Sequence, residues 1–127
     1  MQSAAGFAFY TAVAACGQRS GLARTYRLMC GSEPVAVLFG LVHHRRFHYL
    51  VLGCNYSMFG RFSPGMIMFA RAMDDWFENG GEVFDFTIGD EAFKAALGCK
   101  RTAMHRLSQL GNASARSEPA LAGSVDA

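Results

Sequence analysis

Apolar and polar positions alternate along the chain in two different rhythms. Phe7, Tyr10, Val13 or Ala14 and Gly17 recur at helical spacing, so residues 6–17 predict a buried amphipathic helix. Gly17 and Gly21 bracket its polar stop. Residues 24–30 then alternate as a strand, and Gly31-Ser32-Glu33-Pro34 forms a turn. Val35 to Val42 is rich in β-branched and aromatic residues and predicts a second strand. His43-His44-Arg45-Arg46 is a polar hairpin turn before a third strand, Phe47 to Cys54. The connections are too short for crossovers, so these three strands form an antiparallel meander.

Asn55 to Phe62 is read as a loop, after which helical spacing returns. Met66, Phe69, Ala70, Met73, Trp76 and Phe77 make one apolar stripe, and Arg71, Asp74, Asp75 and Glu78 face away from it. Ser63 is the expected N-cap, and Pro64 suits a first helical position, where its missing N–H is not needed. Asn79-Gly80-Gly81 ends this longest helix in residues that tolerate a left-handed backbone. Val83 to Ile88 is a fourth strand and Gly89 a turn; Asp90 caps a short helix to about Leu97, and Cys99 to Leu107 is a last strand. From Gly111 onward the chain is mostly Ala, Ser, Gly and Pro with little to bury, so residues 111–127 are expected to be a disordered tail on a domain of residues 1–110. The fold class is α+β, a mostly antiparallel central sheet with one strand–helix–strand crossover.

Composition narrows the picture little further. With 127 residues, half of them apolar, the chain fits one packed domain. A net charge of +2 gives no argument for a nucleic-acid partner. Cys16, Cys30, Cys54 and Cys99 are far apart in sequence, which excludes a CxxC redox or zinc motif and suggests buried free thiols in a reducing cytoplasm. The apolar N-terminal run carries no Lys or Arg before Arg19, unlike a signal peptide, and no run is long enough to span a bilayer. His43, His44 and His48 lack an Asp, Glu or Cys at ligand spacing; they are read as a solvated hairpin, and no metal site is expected.

The residues that carry chemistry cluster around the crossover. A helix beginning at Ser63-Pro64-Gly65-Met66 presents unpaired N–H groups and a partial positive charge, roughly half an electron. Gly65 would let a diphosphate approach the backbone, and Arg61 would add charge; the plain alternative is an ordinary helix start. Asp85 stands among Phe84, Phe86 and Ile88 and needs a partner if buried. Lys94 follows on the short helix and is a candidate for that partner, or a side chain that snorkels to solvent while Asp85 faces water.

The run Ser63-Pro64-Gly65-Met66, a helix ending Asn79-Gly80-Gly81, and Asp85-Phe86-Thr87-Ile88-Gly89-Asp90-Glu91-Ala92-Phe93-Lys94 together resemble the signature of CelD/BcsL-type (cellulose-biosynthesis-associated) acetyltransferases of the GNAT superfamily. The hairpin Gly31 to Val42 fits the same family's strand pair, and the resemblance covers about residues 7–107. The pair Phe93-Lys94 stands where the family usually has Tyr-Lys, and the common GNAT phosphate loop is absent. Such domains carry a further half upstream, so the chain is read as the C-terminal core of one, incomplete on that side.

The resemblance implies a GNAT fold and transfer of an acyl group from acetyl-CoA or another acyl-CoA to an amine, without a metal. It places the cofactor at Arg61, Ser63, Gly65 and Met66. It also implies that the third and fourth strands splay, that the pantetheine arm pairs with exposed backbone between them, and that a backbone N–H polarises the acyl carbonyl. Tyr56 is then a candidate acid for the departing thiolate, and Asp85 and Lys94 are candidates for orienting or deprotonating the acceptor. The acceptor would be a small-molecule or cell-envelope amine, with a link to exopolysaccharide or envelope biosynthesis in the cytoplasm. Two rival readings follow. A tRNA-dependent peptidoglycan-bridge transferase of the same fold would use Arg45, Arg46, Lys100 and Arg101. A non-catalytic interaction module would expose an apolar face and form a homodimer.

Overall fold

The computed structural model describes residues 4–110 and 113–126, and of residues 109–110 and 113–122 the backbone only. Helix α1 spans Ala4–Ser20 and is followed by the meander β1 (Ala23–Cys30), β2 (Glu33–His43) and β3 (Arg46–Cys54). Helix α2 (Tyr56–Phe59) and a 3-10 turn (Gly60–Phe62) lead into α3 (Pro64–Glu78). Strand β4 (Val83–Ile88), helix α4 (Ala92–Ala96) and strands β5 (Lys100–Leu110) and β6 (Ala113–Asp126) complete one six-stranded sheet of order β1-β2-β3-β4-β6-β5. Every neighbouring pair is antiparallel except β3–β4, which the α3 crossover joins in parallel.

The core lies between α3 and one face of the sheet. Met68, Phe69, Ala72 and Trp76 from the helix meet Ala36, Leu38, Phe47, Phe84 and Phe86 from the strands, all buried. Edge-on and tilted ring pairs fill this layer, with Phe47–Phe84 centroids 4.7 Å apart and Phe69–Phe86 5.0 Å apart. The Trp76 indole N–H donates to the Val83 carbonyl at 2.9 Å, which ties the end of α3 to the start of β4. A β-carbon at Gly40 would collide with the Phe47 ring and the His48 carbonyl, so that position must be bare for the ring to take its place in the core.

Four expectations change. The N-terminal helix forms but is not buried: only Gly17 of α1 is, while Phe7 and Phe9 are 70% and 62% exposed. Its residues are apolar on every side, and the sheet covers one side only. Segment Asn55 to Phe62 is two short helical turns rather than loop, with the Asn55 carboxamide accepting from the Met58 N–H. None of the four thiols is fully buried; Cys16 and Cys30 are exposed. The tail expected over 111–127 falls partly on Gly111, Asn112 and Ala127, outside the described residues; its remainder is β6, inserted between β4 and β5. Small side chains bury little, but a central strand is held by backbone pairing on both edges, a contribution that composition does not register.

Candidate active site

Strands β3 and β4 pair over three residues only, Arg46–His48 with Val83–Asp85, and part beyond that level. Two irregularities sit where they separate. On β3, Leu50 is an extra residue in the ladder with β2, where Phe39 faces Val51 and Gly40 faces Tyr49; such a bulge bends and twists its strand. On β4, Thr87 takes a left-handed backbone (φ 56°), uncommon for a β-branched residue, within a break of the β4–β6 ladder between Asp85 and Ile88. Asp85 holds this kink, its Oδ1 accepting from the Thr87 N–H at 2.8 Å. From Tyr49 to Cys54 the edge of β3 facing the split carries no strand partner among the described residues.

A cleft of about 330 Å³ opens on the α3 side of this split, lined by Tyr49, Leu52, Tyr56, Phe69 and Phe93 and by Gly60, Ser63, Gly65 and Met66 from the turn and helix start. Phe69 and Phe93 close one wall as a parallel stack, 5.3 Å between centroids and 6° between planes. The start of α3 lines the cleft as well. Ser63 sits in the left-handed region (φ 51°) and its hydroxyl makes no cap bond, so it starts the helix through its backbone rather than as the expected side-chain cap. Its carbonyl accepts from the Met66 and Ile67 N–H groups at 3.0 and 3.3 Å. Pro64 has no N–H, which leaves Gly65 as the donor free to meet an anion in this first turn. A β-carbon at Gly65 would come within 3.3 Å of Leu52 Cδ2 and 3.5 Å of the Tyr56 hydroxyl, so the bare backbone here keeps the cleft open.

Two phenols border the cleft, and both are held in the protonated form. The neighbouring Cys54 thiol raises the Tyr56 pKa above its ordinary value. Burial raises that of Tyr49, with Glu91, Cys54 and Tyr56 adding to it. The arrangement offers a helix N-terminus with a bare glycine, an unpaired strand edge and a proton donor on one apolar slot. It fits a long, flexible ligand with an anionic end and a reactive carbonyl, as an acyl thioester of coenzyme A has.

The family description "Acetyltransferase (GNAT) domain" matches residues 1–95. The chain belongs to the GNAT acetyltransferase family. Among solved structures, the ribosomal-protein-S18-alanine N-acetyltransferase from Escherichia coli superposes with a TM-score of 0.59 at 13% identity, over 83% of this chain and 69% of that one. At that identity the likeness supports the fold alone. No curated protein matches the sequence. GNAT acetyltransferases take acyl-CoA as their acyl donor, in keeping with the shape of the cleft.

Within this GNAT domain the residues singled out from sequence divide into two groups. Ser63, Gly65, Met66 and Tyr56 converge on the cleft. Arg61 lies beside it, its guanidinium 4.5 Å from the centre of the Phe62 ring and outside the cleft lining. Asp85 and Lys94 do not pair with each other. The Lys94 ammonium, 6% exposed, meets Glu91 Oε2 at 2.9 Å and the Ile88 and Gly89 carbonyls at 3.2 and 3.3 Å. These three acceptors match its three N–H donors, so Lys94 locks α4 onto the end of β4. The Asp85 carboxylate instead meets Arg46 Nη1 at 3.1 Å and His48 Nδ1 at 3.7 Å. His48, expected in a solvated hairpin, belongs to no metal-ligand spacing, and nothing local in the sequence marks it. Its significance is positional: in register it stands directly opposite Asp85, on the last paired rung of β3 and β4.

Proposed function

We propose that the chain is an N-acyltransferase domain that binds acyl-CoA in the split between β3 and β4 and transfers the acyl group to an amine. The observation that carries this reading is the coincidence of three features on one cleft: the parted strands, the Gly65 helix start and the Tyr56 phenol. The Gly65 N–H and the positive end of α3 would hold the diphosphate. The free edge of β3 would pair with the pantetheine amides, and one of its N–H groups would polarise the acyl carbonyl as the amine attacks. Tyr56 would protonate the departing thiolate; its raised pKa keeps the proton available at neutral pH. The sequence resemblance to CelD/BcsL-type enzymes is what points to an acetyl donor and to an acceptor amine from envelope or exopolysaccharide chemistry.

The tRNA-dependent reading gains no support from the placement of its basic residues. Arg45 pairs with Glu82, Arg46 with Asp85, Arg101 with Asp90 and Lys100 with Asp126. Calorimetry with acetyl-CoA on the wild type and Gly65→Asp tests the proposal. Binding by the wild type and its loss in the variant are expected, because the new carboxylate occupies the phosphate position and repels the ligand. Equal binding by both would place the donor elsewhere.

A further inference from the structure

The donor cleft opens toward α3, and the other face of the split presents different chemistry. Phe47, Phe84 and Phe86 point into the α3 core, so by strand alternation Arg46, His48, Val83, Asp85 and Thr87 stand on the opposite face. There the His48 side chain is 34% exposed, and Asp85, 16% exposed, is pinned by Arg46 and by the Thr87 N–H. We infer that His48 is the group that takes the proton from the acceptor amine, approaching from the face opposite the donor, and that Asp85 is its positioning residue. This rests on the acyltransferase reading above.

The geometry assigns the roles. Asp85 Oδ2 lies toward His48 Nδ1, which favours the proton on Nδ1 and leaves the Nε2 lone pair for substrate. At 3.7 Å the contact is electrostatic and is expected to shorten as the ring gains charge. The charged and titratable groups facing the ring are Asp85 from β4, Arg46 on its own strand and His43 from β2. Burial, reinforced by Arg46 and His43, lowers the His48 pKa against the pull of Asp85, so the ring is a free base at neutral pH. The acceptor ammonium would give one proton to Nε2, and its nitrogen would then form the C–N bond to the acyl carbon. The C–S bond would break with its electron pair on sulfur, and the thiolate would take the proton of Tyr56. Tyr56 would recover one from the nitrogen through solvent, so acylamine, free thiol and one proton on His48 balance the step.

The test uses the full chain, acetyl-CoA and a panel of primary amines comprising an alanine-terminated peptide, a polyamine and an amino sugar. For His48→Gln, kcat/KM is expected to fall about 10²- to 10⁴-fold and to lose its acidic limb, while acetyl-CoA binding by calorimetry is unchanged. Asp85→Asn keeps an acceptor for the Thr87 N–H but removes the charge. The acidic limb and the His48 ring titration followed by NMR in the free protein should therefore both move to lower pH, which a purely structural role would not produce. His48→Gln with wild-type kcat/KM and an unchanged pH profile overturns the assignment. Acetyl-CoA binding without turnover of any amine by the wild type also counts against it. Absence of binding and turnover together sinks the donor-site reading instead.

Discussion

Helices α1 and α3 differ little in length and in apolar content, yet they relate to the same sheet in opposite ways. Helix α3 has its charges on one side and buries Met68, Phe69, Ala72 and Trp76 on the other. Helix α1 is apolar nearly all round, has no charge before Arg19, and buries only Gly17, against Ala23. An apolar stripe bounded by charges narrows which side meets the core, although Ala70, counted in the α3 stripe, is exposed, and Met68 and Ala72, left out of it, are buried. The two faces of the sheet divide the chemistry in the same way. The α3 face holds the aromatic core and the cleft proposed for the acyl donor, and the opposite face holds the Arg46–Asp85–His48 cluster beyond the reach of the core.

The largest expected effect tests the energetic side of this contrast. Phe84→Ala, which empties a fully buried ring position under α3, should cost about 3–5 kcal/mol in urea unfolding. Phe7→Ala, at an exposed position of α1, should stay within about 0.5 kcal/mol. Comparable losses in the two variants would mean that α1 is as firmly packed as α3. Next comes ligand stabilisation. At 100-fold excess over Kd, acetyl-CoA should stabilise the wild type by about 2.7 kcal/mol in thermal unfolding, and Gly65→Asp should lose that gain. Third, Lys94→Met should cost about 1–3 kcal/mol by leaving the Ile88 and Gly89 carbonyls without their donor. Its acetyl-CoA affinity should change little if Lys94 is a latch and not a ligand contact; a selective loss of binding would give it a place in the site.

The smallest effect is a pH dependence. His48 titrates below 6.5 in the folded chain and near 6.5 when unfolded, so the unfolded state binds the proton first as the solution is acidified. Its contribution to stability is complete above about pH 6.5 and is lost as pH falls through the folded value. Wild type should therefore lose more stability than His48→Gln between neutral and mildly acidic pH. Identical slopes would contradict the burial assigned to the ring.

Much of this was legible before the structure. The three-stranded meander, the long helix from Pro64 and β4 follow from periodicity and turn residues, because each is specified by local pattern; the short helix forms too, but its N-cap is Glu91, without a side-chain cap bond, and the expected cap Asp90 pairs with Arg101 instead. The cleft was legible in part: Gly65 and Met66 mark a helix start, and Tyr56 follows a strand end. What escaped is long-range. The Asp85 partner is fixed by the parallel register of β3 and β4, which brings His48 and Arg46 from more than 35 positions away, whereas Lys94, close in sequence, is claimed by Glu91 and two carbonyls. The exposure of α1 and the ladder of β6 likewise depend on what the sheet covers and pairs, which no local window contains.

Amide hydrogen exchange with and without acetyl-CoA tests the central claim most directly, because it reads the parted strands and the helix start at once. Slower exchange at Gly65 and along Tyr49 to Leu52, with α1 unchanged, is the predicted result. Unchanged exchange at those amides under saturating ligand, or protection confined to α1, would contradict it.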